Sequence, residues 1–233
     1  MSVWTRIGDA LKAFASGESM TAVLDRLSRE PEKTVAFTIA VIALGAKMAK
    51  ADGRVTSDEI AAFREIFHIP EGEEAAAARV YNRARTDVAG YESYARQVAR
   101  MFRDRPGALA DLLEGLVYIA MSDGHYHPAE ARFLETVARI FEIPEVEFRS
   151  IRARYLPGET DPYAVIGVDP SVPDEDLRRE YRQRVRELHP DQMLARGVPE
   201  EARRLAEQRL AAINAAYEAI LAERSRAVDL SGG

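Results

Sequence analysis

The sequence predicts an all-α protein that consists of two helical domains. Apolar residues recur at spacings of three and four along most of the 233 residues, and no run of alternating β-branched residues interrupts them. Clusters of proline and glycine separate the periodic stretches, which indicates where one helix ends and the next begins. These breaks divide the chain into an N-terminal amphipathic segment (1–30), a first helical domain (31–156) and a second helical domain (161–225).

The composition excludes several classes of function. The chain has no cysteine, which excludes disulfides, thiolate zinc sites and cysteine nucleophiles. Its net charge is −6, whereas a general nucleic-acid-binding protein is normally basic, so we expect no nucleic-acid partner. The sequence contains no recognisable nucleophile–base pair, phosphate-binding loop or paired-carboxylate cleft. We therefore expect a protein that is not an enzyme.

The N-terminal half contains two apolar features. Trp4, Ile7, Leu11 and Phe14 form a strip that we expect to pack on the protein's own helices, with a membrane surface as the alternative. The most apolar run, 35–49, is shorter than the roughly 20 residues that cross a bilayer. We expect it to be a buried helix in a cytoplasmic protein with no transmembrane span, and peripheral contact with the inner membrane is the alternative location.

The helices of the first domain continue in order from this run. The apolar helix spans 34–50 and ends at Asp52-Gly53, because glycine readily adopts the backbone angles of a helix exit. Further helices are predicted at 56–68, 73–86 and 91–103. After a break at Arg105-Pro106-Gly107, a second apolar helix spans 108–122.

The segment after the second apolar helix repeats the segment after the first. The first copy contains Ala51-Asp52-Gly53, Glu59 and 66–70, and the second contains Ser122-Asp123-Gly124, Glu130 and 140–144. This duplication, over 34–155, resembles the TerB-like domain, an all-helical module with an Asp-Gly and a downstream Glu in each half.

The acidic residues of the two turns are candidate metal ligands. Hard divalent cations prefer carboxylate oxygens, and His125 and His127 lie nearby in the sequence. The candidates are Asp52, Glu59, Asp123 and Glu130. Neither turn has the spacing of an EF-hand loop, and such residues also cap helices and turns without a metal. We expect the capping role and no cofactor, and a divalent cation in the first domain is the alternative.

The second domain is predicted to contain three helices. Asp161-Pro162 begins a short helix that ends at Gly167. A second helix, opening at 173–176, carries an apolar stripe beside a basic face, and a third from about Glu201 packs antiparallel on it. The basic face consists of Arg178, Arg179, Arg182 and Arg186.

The second helix is followed by a distinctive tripeptide, His189-Pro190-Asp191. Proline disfavours helical geometry at the preceding residue, so this helix should end near Leu188 and the tripeptide should lie in a loop. The residues from Met193 to Glu200 are expected to extend that loop.

The second domain resembles the J domain of DnaJ-type co-chaperones over 161–225. Tyr163 to Val168 matches the opening motif of that family, with Ile166 in place of the usual leucine. His189-Pro190-Asp191 is its signature, and 213–218 matches its third helix. Gln192 departs from the lysine that usually follows the signature. A TerB-like domain before a J domain is most similar to the DjlA type of bacterial J protein.

This resemblance implies a co-chaperone that stimulates ATP hydrolysis by a DnaK-type chaperone. By this resemblance, His189, Pro190 and Asp191 would form the loop that binds the partner. The four arginines of the basic face would contact an acidic surface of the partner. The TerB-like domain would select a client, a partner or a location, and the client stays unidentified. The alternative function is a metal- or stress-sensing TerB-like module that uses the J domain as its output.

Overall fold

The computed structural model describes residues 7, 22, 33–52, 61, 74–86, 90–155 and 161–231, which contain no β-strand. The prediction of an all-α protein is confirmed. The helices of these residues are α1 Lys33–Asp52, α2 Glu74–Thr86, α3 Tyr91–Met101, α4 Pro106–Ala120, α5 Pro128–Ile140, α6 Glu145–Ala153, α7 Pro162–Ile166, α8 Asp174–Glu187, α9 Pro190–Ala195 and α10 Arg203–Ser231, with a 3-10 turn at Glu200–Ala202.

Helix α1 forms the centre of the first domain. Its side chains from Val35 to Ala49 are buried except at Gly45, and helices α2, α3, α4 and α5 pack around it. Lys47 is buried too, and its Nζ lies 4.9 Å from the centroid of the Tyr94 ring. The apolar run is therefore a core helix, as predicted. Within the described ranges, no helix is both long enough and apolar enough to cross a bilayer.

Helix α4 begins earlier than predicted. Pro106, expected to break the chain before the helix, instead occupies its first turn. The first backbone N–H groups of a helix have no internal partner, so a proline there loses no hydrogen bond. After α4, residues 121–124 form a turn in which Gly124 has a φ of +77°, as expected for the predicted Asp-Gly exit.

Parts of the duplicated first domain lie outside the described residues. These include residues 53–60, which contain Glu59 and most of the first of the two predicted turns. Of the N-terminal strip, only Ile7 is described, and it is fully buried in the core of the first domain. Trp4, Leu11 and Phe14 lie outside the described residues.

The second domain has its own core around an antiparallel pair of helices, α8 and α10. Leu177, Ile213 and Ile220 are fully buried, and Tyr163 and Ile166 of α7 cover them. The rings of Tyr181 and Tyr217 stack with their centroids 4.0 Å apart, which joins the two helices near the middle. The predicted helical hairpin is confirmed.

The segment between α8 and α10 differs from the predicted loop. It contains the short helix α9 and the 3-10 turn, and its buried apolar side chains belong to the core of the first domain. The buried residues of this bridging segment and of the start of α10 are Met193, Val198, Ala202, Leu205 and Ala206. Burial in the first domain stabilises a helix that is too short to form by itself. This segment lies within the second domain in the sequence but belongs to the core of the first domain. The boundary between the two cores is therefore not a single position in the chain.

Candidate partner-binding loop and its support

The His189-Pro190-Asp191 tripeptide forms the junction between α8 and α9. His189 is in an extended conformation, with φ −63° and ψ 139°, and caps α9, in which Pro190 is the first residue. The backbone N–H of Asp191 donates to Nδ1 of His189 at 3.3 Å. The prediction that α8 ends near Leu188 is confirmed, whereas the tripeptide begins a helix instead of lying in an open loop. Proline suits the first helical position, which explains the difference.

Both polar side chains of the tripeptide face solvent. The His189 side chain is 53% exposed and the Asp191 side chain 77%, and His189 Nδ1 lies 3.5 Å from Asp191 Oδ2. The junction thus offers a partner one exposed imidazole ring and one exposed carboxylate acceptor.

Of the four exposed arginines in the basic face of α8, three recur every four residues, namely Arg178, Arg182 and Arg186. Residues four apart lie on the same side of a helix, so these guanidinium groups form one row that leads to the tripeptide. Among the described residues, no acidic side chain forms an ion pair with any of the three. Arg179 differs from them because its Nη1 lies 2.5 Å from Asp176 Oδ1.

Other arginines of the second domain have structural contacts that the sequence analysis did not predict. Arg184 lies close to Glu180, with Nε 3.2 Å from Oε1, and is only 19% exposed. Arg224 donates to the Tyr163 hydroxyl at 3.3 Å, to the Pro170 carbonyl at 3.1 Å and to Asp174. It therefore joins the end of α10 to the α7–α8 connection. Apart from their arginine identity, the sequence contains no signal for these roles.

A buried ionic cluster connects the two domains behind the tripeptide. Asp111 and Glu114 of α4 are 3% and 2% exposed, and they face Arg196 and Arg209 of the second domain. Arg209, fully buried, donates to Asp111, and its Nε lies 2.9 Å from Glu114 Oε2. Arg154, at the end of α6, pairs with Glu114 from the other side.

The surroundings of Glu114 change its proton affinity. Burial alone would raise its pKa, but the attraction of Arg154 and Arg209 and the hydrogen bonds from Arg154 and Tyr155 lower the pKa below its ordinary value. Burial and the Glu114 charge together raise the pKa of Tyr155 well above its ordinary value. At neutral pH the cluster therefore contains a charged Glu114 and a neutral Tyr155 that donates to it at 2.7 Å.

A further contact joins the domains near α7. The hydroxyl of Ser150 in α6 donates to the carbonyl of Val165 at 2.7 Å, and Ser150 is fully buried. Ala153, also in α6, packs into the core of the second domain. Helix α6 is therefore a contact surface for the second domain as well as an element of the first.

The candidate metal ligands of the second turn have local roles. Glu130 is 2% exposed and accepts a hydrogen bond from the backbone N–H of His127 at 3.1 Å, which caps the start of α5. Asp123 accepts one from the backbone N–H of His125 at 2.8 Å. No set of three or more His, Asp or Glu side chains in the described part of the chain is arranged to hold a metal ion. Asp52 is the last residue of α1, and Glu59 lies outside the described residues.

Comparison with protein families assigns both domains. The family model described as "Tellurite resistance protein TerB" matches residues 38–153. The family model described as "DnaJ domain" matches residues 161–228. The two matches occur in the order that the sequence analysis predicts.

Several curated bacterial proteins are similar to this chain over most of its length, and each is named Co-chaperone protein DjlA. The one from Photobacterium profundum is 26% identical over 220 residues, which cover 83% of this chain and 79% of the relative. The one from Coxiella burnetii is 24% identical and covers 76% of this chain and 74% of the relative. The one from Vibrio vulnificus is 23% identical and covers 93% and 88%. No solved structure matches the chain significantly.

Proposed function

We propose that this chain, which belongs to the DjlA type of J-domain co-chaperone, stimulates ATP hydrolysis by a DnaK-type chaperone through the His189–Asp191 junction and the basic face of α8. Co-chaperones of this type regulate a partner and are not themselves enzymes, in agreement with the sequence-based expectation. The observation that carries the proposal is the row of three arginines, which form no ion pair with any described residue and lead to an exposed histidine and carboxylate.

Each part of this surface has a distinct physical role. The arginines of α8 increase the association rate with an acidic surface, because opposite charges steer the encounter. Asp191 accepts charge-assisted hydrogen bonds from a partner arginine, which are stronger than those between neutral groups. Stimulation further requires that the junction bind the hydrolysis-competent state of the chaperone more tightly than the resting state, since only differential affinity shifts an equilibrium.

The first domain would supply specificity for a client, a second partner or a location. Two observations support a role of the first domain other than metal or stress sensing. Its core accepts side chains from the second domain, and Asp123 and Glu130 already accept backbone hydrogen bonds.

Single-turnover ATP hydrolysis by the DnaK-type chaperone of the same cell tests the proposal. We expect the full chain to accelerate hydrolysis and His189→Gln to abolish the acceleration. His125→Gln is the matched control, because it makes the same change at an exposed histidine of the first domain. If the full chain is folded by circular dichroism and does not accelerate hydrolysis, the proposal is wrong.

A further inference from the structure

We propose that Arg196 is a positioning residue that braces the partner-binding junction against the first domain. The inference rests on the proposed function and adds to it a role for the first domain in partner binding. Arg196 follows the last residue of α9, and its side chain returns past that helix to contact both the end of α8 and the carboxylate of Asp111 in α4.

All three nitrogens of the Arg196 guanidinium donate hydrogen bonds. Nε and Nη2 donate to the two oxygens of Asp111, at 2.8 Å and 3.1 Å, in a bidentate pair. Nη1 donates to the backbone carbonyl of Glu187, the last residue of α8, at 2.9 Å. That carbonyl is one of those that a helix end leaves without an internal partner. One side chain therefore connects the first domain to the residue that lies two positions before His189.

The first domain leaves room for this side chain at one glycine. Gly107 lies in the first turn of α4, and a Cβ there would be 2.6 Å from Cδ of Arg196 and 3.1 Å from its Nε. Any other residue at 107 would displace the arginine. The same helix contains a second glycine, Gly115, at which a Cβ would make only an ordinary contact, 3.9 Å from Leu205.

Asp111, the residue to which Arg196 binds, is itself held in place. Asp111 is 3% exposed, and its Oδ1 also accepts from the fully buried Arg209. Arg209 in turn contacts the sulfur of Met193, the buried residue of α9, at 3.6 Å. Helix α9 is therefore fixed by the buried side chain of Met193 on one side and by Arg196 at its end. A bidentate pair defines orientation as well as distance, which suits a positioning role.

Loss of the brace would leave the chemistry of the junction unchanged and lower the fraction of molecules in which the junction is correctly oriented. Apparent affinity falls in proportion to that fraction, whereas the rate at saturation does not. We therefore expect Arg196→Gln to raise the half-stimulating concentration of the co-chaperone about tenfold, equivalent to about 1.4 kcal/mol, with little change in the maximal ATPase rate. Arg196→Lys retains the charge but lacks the fork of donors, and it should restore only part of the affinity.

Gly107→Ala provides an independent variant, because it removes no charge and no hydrogen-bonding group. Alanine also favours a helix more than glycine does, so α4 should stay folded. We expect a rise of about threefold or more in the half-stimulating concentration, equivalent to about 0.7 kcal/mol. Gly115→Ala is the matched control in the same helix, and Arg132→Gln, at an exposed arginine of α5, is the control for the change in net charge.

The experiment measures stimulated ATPase rates across a range of co-chaperone concentrations, together with amide hydrogen exchange of residues 188–195 in the free full chain. Faster exchange in this segment with Arg196→Gln and Gly107→Ala, and not with the two controls, supports the brace. If the wild-type chain stimulates the ATPase and both variants leave the half-stimulating concentration and the exchange unchanged, the brace is wrong and the proposed function stands. If the wild-type chain itself does not stimulate, the proposed function fails and this inference fails with it.

Discussion

Arg209 of α10 and Asp111 of α4 form an ion pair in which the side chains are 0% and 3% exposed, although 98 residues separate them in the sequence. A buried charge without a partner is costly, so separation of the two helices in the folded protein is unfavourable. Because the two helices belong to different domains, this pair joins the partner-binding domain to the first domain. Arg154, Arg196 and Glu114 extend the same cluster.

Glu114→Gln should destabilise the protein strongly. The substitution leaves Arg154 and Arg209 buried with one negative charge fewer, and breaking a buried ion pair costs about 3–5 kcal/mol. Urea denaturation at neutral pH measures the change in the free energy of unfolding. Glu207→Gln, at an exposed glutamate of α10, is the matched control and should change stability by less than about 0.5 kcal/mol. Equal effects of the two substitutions would contradict the structural role of the cluster.

Because of Glu114, the free energy of unfolding should decrease in acid. Burial favours the protonated form of Glu114, but Arg154 and Arg209 outweigh it and hold the pKa below the ordinary value of 4.5. The unfolded chain therefore binds this proton first as the pH falls. The contribution is complete above the pKa of the unfolded carboxyl group and is lost as the pH falls through the folded value.

Urea denaturation at a series of pH values between about 7 and about 3 measures this contribution. The free energy of unfolding should decrease less steeply with acid for Glu114→Gln than for the wild type, since the variant lacks the titrating group. Glu207→Gln should follow the wild-type curve. Parallel curves for the wild type and Glu114→Gln would show that this carboxyl group titrates normally.

The arginines of α8 should contribute unequally to association with the DnaK-type chaperone. Arg182→Ala removes a charge that no described carboxylate neutralises, and it should slow association about two- to fivefold at low salt, the effect of an exposed ion pair of up to about 1 kcal/mol. Arg179→Ala should have a smaller effect, because Asp176 already neutralises part of that charge.

Stopped-flow association at two salt concentrations tests this difference. The reduction in association rate caused by Arg182→Ala should be smaller at high salt, where exposed charges are screened. Arg226→Ala, at an exposed arginine near the end of α10, controls for net charge. A larger effect for Arg179 than for Arg182 would be the opposite of the expected order.

Alanine substitutions at Gly167 and Gly45 should have opposite effects on stability. Gly167 ends α7 with φ +85°, where an L-residue costs about 1–2 kcal/mol, so Gly167→Ala should lower the melting temperature. Gly45 lies inside α1 with open space around a Cβ, so Gly45→Ala should stabilise the helix by about 1 kcal/mol. Differential scanning calorimetry measures the melting temperature of each variant. If both melting temperatures shift in the same direction, the predicted effect of one of the two substitutions is wrong.

The sequence predicts the partner-binding junction well up to Leu188 and less well after it. The effect of Pro190 on its neighbour is local, and His189 does avoid helical geometry, as predicted. The helix after the junction depends on burial of Met193 in the first domain, which no local pattern indicates. The expected loop at 193–200 is therefore partly helical.

The sequence by itself determined the helical class, the apolar helices α1 and α4, the hairpin of α8 and α10 and the position of the tripeptide. These features depend on periodicity and on proline and glycine, which act on residues close in the chain. The tertiary structure alone decided which arginines pair with buried carboxylates. Arg154, Arg196 and Arg209 find their carboxylates 40, 85 and 98 residues away, and only the packing of α4 against α6 and against the second domain brings these groups within reach.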